Sequence, residues 1–344
     1  MVLISKIAAK ENWNTRLVFY FLVIVLLVFF SSLLSLKLGQ RAIEWGQIMQ
    51  VFSHYDPYDS DHVIIRHMRL PRLFAALLVG ASLAVAGVLM QTISRNPLAD
   101  PGIIGINAGA ALAVVIAVVL LGSASPAVYI WPALGCAGLA TVSVFLLSGS
   151  GQAGASPARL VLAGAAISAL LFALVRAVLL VSQQSLEVYR QWITGSLQIA
   201  DSANLLALMP FFIVGFALAL VCSLLIDALS MGDDIARGLG VKVRFAKGLC
   251  MVTITLLCSA SVALVGPIGF IGLVVPHAAR FLVGNNGRWL ILIAALLGAG
   301  LLLLADVIGR VILTNSEIPA GLMVALMGGL AFIFLVRQKE MVRL

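Results

Sequence analysis

Leu17-Val18-Phe19-Tyr20-Phe21-Leu22-Val23-Ile24-Val25-Leu26-Leu27-Val28-Phe29-Phe30-Ser31-Ser32-Leu33-Leu34-Ser35-Leu36 is a run of twenty residues without one charge. Coiled as an α-helix at about 1.5 Å per residue it reaches roughly 30 Å, the thickness of a bilayer's hydrocarbon core. Lys6 and Lys10 precede it and Lys37 follows it. The run is longer than a signal-peptide core and no A-x-A type cleavage site follows, so it reads as a retained first membrane span.

The same pattern recurs along the chain. Apolar runs bounded by charge or by Gly and Pro place ten spans, near 17–36, 70–93, 103–121, 128–147, 160–181, 203–226, 245–264, 268–283, 289–308 and 319–336. Composition agrees: of 344 residues 62% are hydrophobic and 10% charged, with a mean hydropathy of +1.12, beyond what a water-soluble domain carries. The expected fold class is all-α, a polytopic bundle of ten transmembrane helices in one domain over 1–344. The eighth run is short and hemmed in by Pro267 and Pro276, which is tolerable only where protein, not lipid, surrounds the backbone.

The net charge of +8 lies beside the apolar runs instead of along one stripe, which points to membrane topology and away from nucleic acid. An even span count puts both termini on one side. Placing them in the cytoplasm leaves 14 Lys/Arg inside and 8 outside, the positive-inside arrangement, with 1–16 as a short cytoplasmic N-terminal segment. Cys136, Cys222, Cys250 and Cys258 sit in apolar runs without paired or metal-type spacing and read as packing residues.

Two stretches resemble one another, Asn96-Pro97-Leu98-Ala99-Asp100-Pro101-Gly102-Ile103-Ile104-Gly105 and Gly266-Pro267-Ile268-Gly269-Phe270-Ile271-Gly272. They fall on opposite sides, as an inverted-topology repeat requires; the alternative is that Gly and Pro only punctuate short loops. The inner stretch 227–244 holds a short amphipathic helix. Asp233 and Asp234 suit its positive first turn, and Gly238 and Gly240 its end. Met231, Ile235 and Leu239 share one face, which a solvated connector does not need, so a cytoplasmic partner is expected to dock there.

No G-x-x-x-x-G-K-[ST] phosphate loop occurs, and no His/Cys/carboxylate set has metal-ligand spacing: His54 and His62 lie in an outer loop, His67 and His277 at span edges. No catalytic or metal-binding residue is nominated. An ion-coupled secondary transporter would share the ten spans, the repeat and the broken helices. It would also need carboxylates at mid-membrane, whereas Asp100, Asp201, Asp227 and Asp306 all read as span ends.

Arg69-Leu70-Pro71-Arg72, Gly87-Val88-Leu89-Met90-Gln91, Asn96-Pro97-Leu98-Ala99-Asp100-Pro101-Gly102, Phe270-Ile271-Gly272-Leu273-Val274-Val275-Pro276-His277 and Ala305-Asp306-Val307-Ile308-Gly309-Arg310 together resemble the permeases of iron-siderophore, haem and vitamin B12 importers. The likeness runs in order from about residue 17 to the C-terminus. It implies a vitamin B12-importer-like permease fold with an inverted repeat, placed in the bacterial cytoplasmic membrane. It also implies a second permease subunit, identical or paralogous, two cytoplasmic ATPase subunits that use the ATP, a periplasmic or lipid-anchored binding protein, and no cofactor on this chain. Asn96 to Ala108 and Gln191-Trp192-Ile193-Thr194-Gly195-Ser196-Leu197 look most like ferric-enterobactin-type permeases, so a ferric siderophore is the implied substrate, with cobalamin or haem as the alternative.

The resemblance also implies roles for residues. Arg69, Arg72 and Arg310 match arginines that meet carboxylates of the binding protein, although arginines beside a Pro at a helix start also anchor a span. Met231, Gly232, Asp233, Ile235, Leu239 and Gly240 match the segment that seats in the ATPase. Asn96, Pro97 and Leu98, with Ser156 and Pro157, match gate elements on the cytoplasmic side, the alternative being a static loop. Pro157 and Ala158 depart from the small hydroxyl residues that the vitamin B12 permease has there. Arg176 is nominated by charge alone. A central Arg costs a span on the order of 2.5–3.5 kcal/mol, so it either faces the pathway and attracts an anionic iron complex or snorkels about 8 Å to the outer interface.

Overall fold

A computed structural model describes residues 2–123, 125–149, 157–313 and 315–337, with side chains at all of these but 2–15, 157, 335 and 336. α1 (Val2–Lys37) contains the opening apolar run. α2 (Trp45–Ser53) and α3 (Ser60–Ile64) form an excursion, and a π-helical turn, Ile65–Arg69, carries α3 without a break into α4 (Leu70–Ser94). Pro71 has no N–H to give and its ring would strike the carbonyl four residues back, so a widened turn ahead of it relieves the helix.

A 3-10 turn, Pro101–Ile104, leads to α5 (Ile106–Leu121), followed by α6 (Pro126–Gly149), α7 (Pro157–Val181), α8 (Gln183–Ile193) and α9 (Ser202–Cys222). Two short helices, α10 (Ile226–Ser230) and α11 (Asp233–Gly238), precede α12 (Val243–Val265), α13 (Ile271–Val283), α14 (Gly287–Val311) and α15 (Ala320–Arg337). The described residues contain no strand.

Among the described residues seven helical stretches are long and apolar enough to cross a membrane, and three shorter apolar helices, Ile106–Leu121, Ile271–Val283 and Ala320–Phe334, complete the ten-span reading. The third and eighth spans start three residues later than expected. Residues 101–104 form the 3-10 turn and 266–270 stay non-helical, so Pro267 lies outside α13 and only Pro276 lies within it.

α4 is the axis of the bundle and is buried along most of its length. Its backbone touches that of α14: a Cβ on Gly80 would stand 2.3 Å from the Gly298 oxygen, and one on Gly298 would stand 2.3 Å from the Gly80 oxygen. Such small-residue seams let helices associate where lipid supplies no hydrophobic drive. A second seam joins α4 to α13, where a Cβ on Gly87 would lie 2.1 Å from the Gly272 oxygen.

The two repeated stretches meet at this axis. A Cβ on Gly272 would lie 2.8 Å from Pro101 Cδ and 3.2 Å from the Leu83 oxygen, near the middle of α4. Each stretch thus returns to the interior and starts a half-length helix there, α5 or α13, surrounded by protein as irregular backbone at that depth requires. Asp100 stands at a span end, as the N-cap of the 3-10 turn, but that end lies within the protein: Asp100 lines a small cavity of about 10 Å³ with Leu83, Asn107, Cys258 and Gly272.

Candidate functional site

At one end of the bundle α1 stops with main-chain oxygens unpaired, as every helix C-terminus does. Two arginines serve them. Arg69 donates to the oxygens of Leu36, Lys37 and Arg41, and Arg310 donates to Ser35 O at 3.1 Å, Leu38 O at 3.3 Å and Ser35 Oγ at 2.6 Å. The negative end of the helix dipole favours cations there.

Arg72 forks onto Asp306 with Nε at 2.9 Å and Nη2 at 2.7 Å, and gives Nη1 to Glu317 at 2.8 Å. Arg310 reaches the other oxygen of Asp306 at 3.0 Å. All three nominated arginines therefore gather at one place, but each guanidinium already has partners within the chain, Arg310 Nε alone being buried without one, and Arg69 and Arg310 are buried. An open row of free arginines is not what the sequence folds into. Asp306 stood in a quoted motif without a role, and Glu317 was missed. The signal for Glu317 was its being the sole carboxylate between the last two spans.

At the other end α11 begins after Gly232 at φ +111 and closes at Gly240, φ +83. Gly240 N–H bonds Arg237 O at 2.9 Å and Val241 N–H bonds Ala236 O at 3.0 Å, a Schellman closure that needs the left-handed residue glycine provides. Asp233 accepts from Lys247 Nζ at 2.8 Å and from Arg95. Burial pushes its carboxyl upward, but Lys247 and Arg95 outweigh this and hold it below the usual carboxylate range. Asp227 accepts the Gly287 N–H, in the first turn of α14, at 2.8 Å. The segment is thus tied to α4, α12 and α14.

Met231, Ile235 and Leu239 remain 60%, 54% and 63% exposed, an apolar ridge on a firmly held segment. Behind it lies a cavity of about 660 Å³ lined in part by Gln91, Arg95, Asp227 and Arg280. Gln91 bridges the helices here. Its Oε1 accepts from Arg280 and its Nε2 donates to the oxygens of Gly272 and Leu273 at 3.3 and 3.2 Å.

Arg95, at φ +47, ends α4, and Asn96 then folds a turn by accepting the Leu98 N–H at 2.9 Å. Asn96 and Leu98 are exposed. Ser156 lies outside the described residues, and Pro157 opens α7. The stretch after the turn does meet α7, since a Cβ on Gly164 would stand 2.2 Å from the Ile103 oxygen.

Arg176 is exposed on α7, a helix with little of its surface buried, and makes no ion pair among the described residues. Its charge reaches Tyr189 on α8, whose hydroxyl burial pushes up and Arg176 pulls back in part. Among the described residues no group of three or more His, Cys, Asp or Glu is placed to hold a metal ion.

Residues 23–338 match the FecCD transport family. The chain belongs to that family. This FecCD-type permease is 39% identical over 317 residues to the ferric enterobactin transport system permease protein FepD of Escherichia coli (strain K12), covering 92% of this chain and 94% of FepD. It is 38% identical over 332 residues to the hemin transport system permease protein HmuU of Yersinia pestis, covering 94% and 97%. A solved structure described as an inward-facing conformation of a metal-chelate type ABC transporter superposes with a TM-score of 0.81 at 30% identity, covering 92% of this chain and 98% of that one. The FecCD-type permease is a membrane-spanning subunit of an ABC importer, which displaces the secondary-transporter alternative.

Proposed function

We propose that the chain moves a ferric siderophore across the bacterial cytoplasmic membrane, with both termini inside, as one of two permease subunits above two ATPase subunits that supply ATP hydrolysis. The observation that carries the ATPase contact is the exposed ridge of Met231, Ile235 and Leu239 on a segment tied by Asp227 and Asp233 to three membrane helices. Force applied to that segment reaches α4, α12 and α14 through charge-assisted bonds instead of being lost in a loose loop. Gly232 and Gly240 supply the two backbone conformations the segment needs. Asn96, Pro97 and Leu98 close the pathway toward Ser156 and Pro157.

A binding protein docks at the opposite end, over Arg69, Arg72 and Arg310. Because these side chains already have partners, an acidic surface engages them by exchange. The substrate reading rests on likeness to FepD, and likeness to HmuU favours haem as the second reading. The test is reconstitution in proteoliposomes with the partner ATPase and binding protein, followed by ATP-dependent uptake of ferric catecholate, ferric citrate, hemin and cobalamin. Uptake of a ferric siderophore supports the proposal. Uptake of hemin or cobalamin alone refutes the substrate, and failure of any ATPase to co-purify refutes the assembly.

A further inference from the structure

Four ionisable groups meet where α4 begins and α14 ends, Arg72 and Arg310 against Asp306 and Glu317, with Arg69 beside them on main-chain oxygens. The two carboxylates are held in different ways. Asp306 is built into α14, has a side chain 1% exposed, and is gripped by both Arg72 and Arg310. Glu317 stands in the non-helical stretch before α15, is 15% exposed, and uses one oxygen, Oε2, to accept from Arg72 at 2.8 Å and from Gln198 Nε2 at 2.6 Å. Removing Asp306 would leave the buried Arg310 without an anion and Arg72 with Glu317 alone. Releasing Glu317 frees one nitrogen of Arg72 and sends a carboxylate toward water.

We infer that Glu317 is an internal stand-in for a carboxylate of the binding protein and is displaced from Arg72 when that protein docks. The inference rests on the docking reading above. Asp306 keeps Nε and Nη2 of Arg72 throughout, so exchanging one carboxylate for another on Nη1 leaves no donor of this nearly closed guanidinium without an acceptor. It also supplies selectivity, because a surface without a correctly placed acid would have to dislodge Glu317 for nothing in return.

Displacement carries a signal as well. Gln198 follows Gly195, whose oxygen accepts the Gly321 N–H of α15 at 2.8 Å. A Cβ on Gly195 would stand 2.4 Å from the Pro267 oxygen, so this segment rests on the loop that leads into α13. When Glu317 leaves, Gln198 loses its side-chain partner three residues from that contact.

The test uses the full permease–ATPase complex in lipid nanodiscs and measures the affinity of the substrate-loaded binding protein. Glu317→Gln keeps the side chain's size and removes the competing charge, so binding tightens by roughly threefold to tenfold. Gln198→Ala weakens the hold on Glu317 without touching a charge and tightens binding by less. Arg72→Gln weakens binding, and the double variant of Glu317→Gln with Arg72→Gln binds as Arg72→Gln does alone. Weaker or unchanged binding in Glu317→Gln, with Arg72→Gln still weakening it, overturns displacement and leaves docking standing. Unchanged binding in Arg72→Gln overturns both. If Glu317→Gln does not assemble, Gln198→Ala decides: no tightening overturns the inference.

Discussion

Arg72 and Asp306 stand 234 positions apart in sequence, and three contacts of 2.7, 2.9 and 3.1 Å join them at the shared end of α4 and α14. The pair is almost closed to solvent and Arg310 depends on the same carboxylate. Taking away one partner of a buried pair costs about 3–5 kcal/mol, because the other charge stays behind unpaired. Asp306→Asn is therefore expected to lower the melting temperature in detergent sharply and to reduce the yield of monodisperse protein. Glu317→Gln, at the more open edge, changes it little. Size-exclusion melting curves of the two variants check this, and equal stability of Asp306→Asn and wild type refutes it.

The Arg72–Glu317 contact also has a defined pH range. Burial pushes the Glu317 carboxyl upward, but Arg72, Gln198 and Arg310 outweigh it and hold it below the usual range. A carboxyl lowered by folding stabilises the structure above its unfolded pKa, about 4.3 for Glu, and loses that contribution as pH falls through the folded value. Wild type is expected to show no Glu317-dependent step in stability between about pH 5.5 and 8, and to converge with Glu317→Gln only in stronger acid. Melting temperatures of both across that range test it. A step near neutrality that Glu317→Gln abolishes contradicts the assignment.

The coupling ridge separates folding from assembly. Ile235 and Leu239 are exposed, so Ile235→Glu or Leu239→Glu removes no packing inside the chain, and a stability change within about 0.5 kcal/mol is expected. Docking of an apolar ridge into an ATPase cleft, in contrast, cannot tolerate a desolvated carboxylate. Either variant is expected to purify normally and to lose most of the co-purifying ATPase. Full retention of the ATPase, with transport intact, means that the partner seats elsewhere.

The seven long spans were legible because a bilayer imposes one length and one chemistry on a full crossing, and Leu17–Leu36 shows both at once; the three shorter helices were legible by chemistry alone. The ends of α5 and α13 were not. Hydropathy cannot see that residues 101–104 and 266–270 are irregular, since the protein around them makes them as apolar as a helix. Gly240 gave away the end of α11 because a Schellman closure is local and needs that residue. The arginines could be named but not placed. What occupies Arg72 is Asp306 and Glu317, and what holds Arg95 is Asp233, partners between 138 and 245 positions away that no local pattern announces. The sequence places Asp100 at the start of a span, and it is there, but that the start lies within the protein depends on Leu83, Cys258 and Gly272, which are distant in sequence.

Arg176 divides two accounts of α7. It is exposed, it forms no ion pair among the described residues, and its helix offers most of its surface to something outside this chain. If that surface lines the pathway, the guanidinium attracts anionic iron complexes. If it faces lipid, the long stem only carries the charge to the interface. Arg176→Gln removes the charge and Arg176→Lys keeps it. Under the pathway account, the Gln variant loses roughly tenfold in uptake of a trianionic ferric catecholate, about 1.4 kcal/mol, keeps its uptake of a neutral complex, and is rescued by Lys. Equal uptake of charged and neutral complexes by the Gln variant makes Arg176 an interface anchor. Loss of both together marks damage to α7 itself and likewise rules out charge selection.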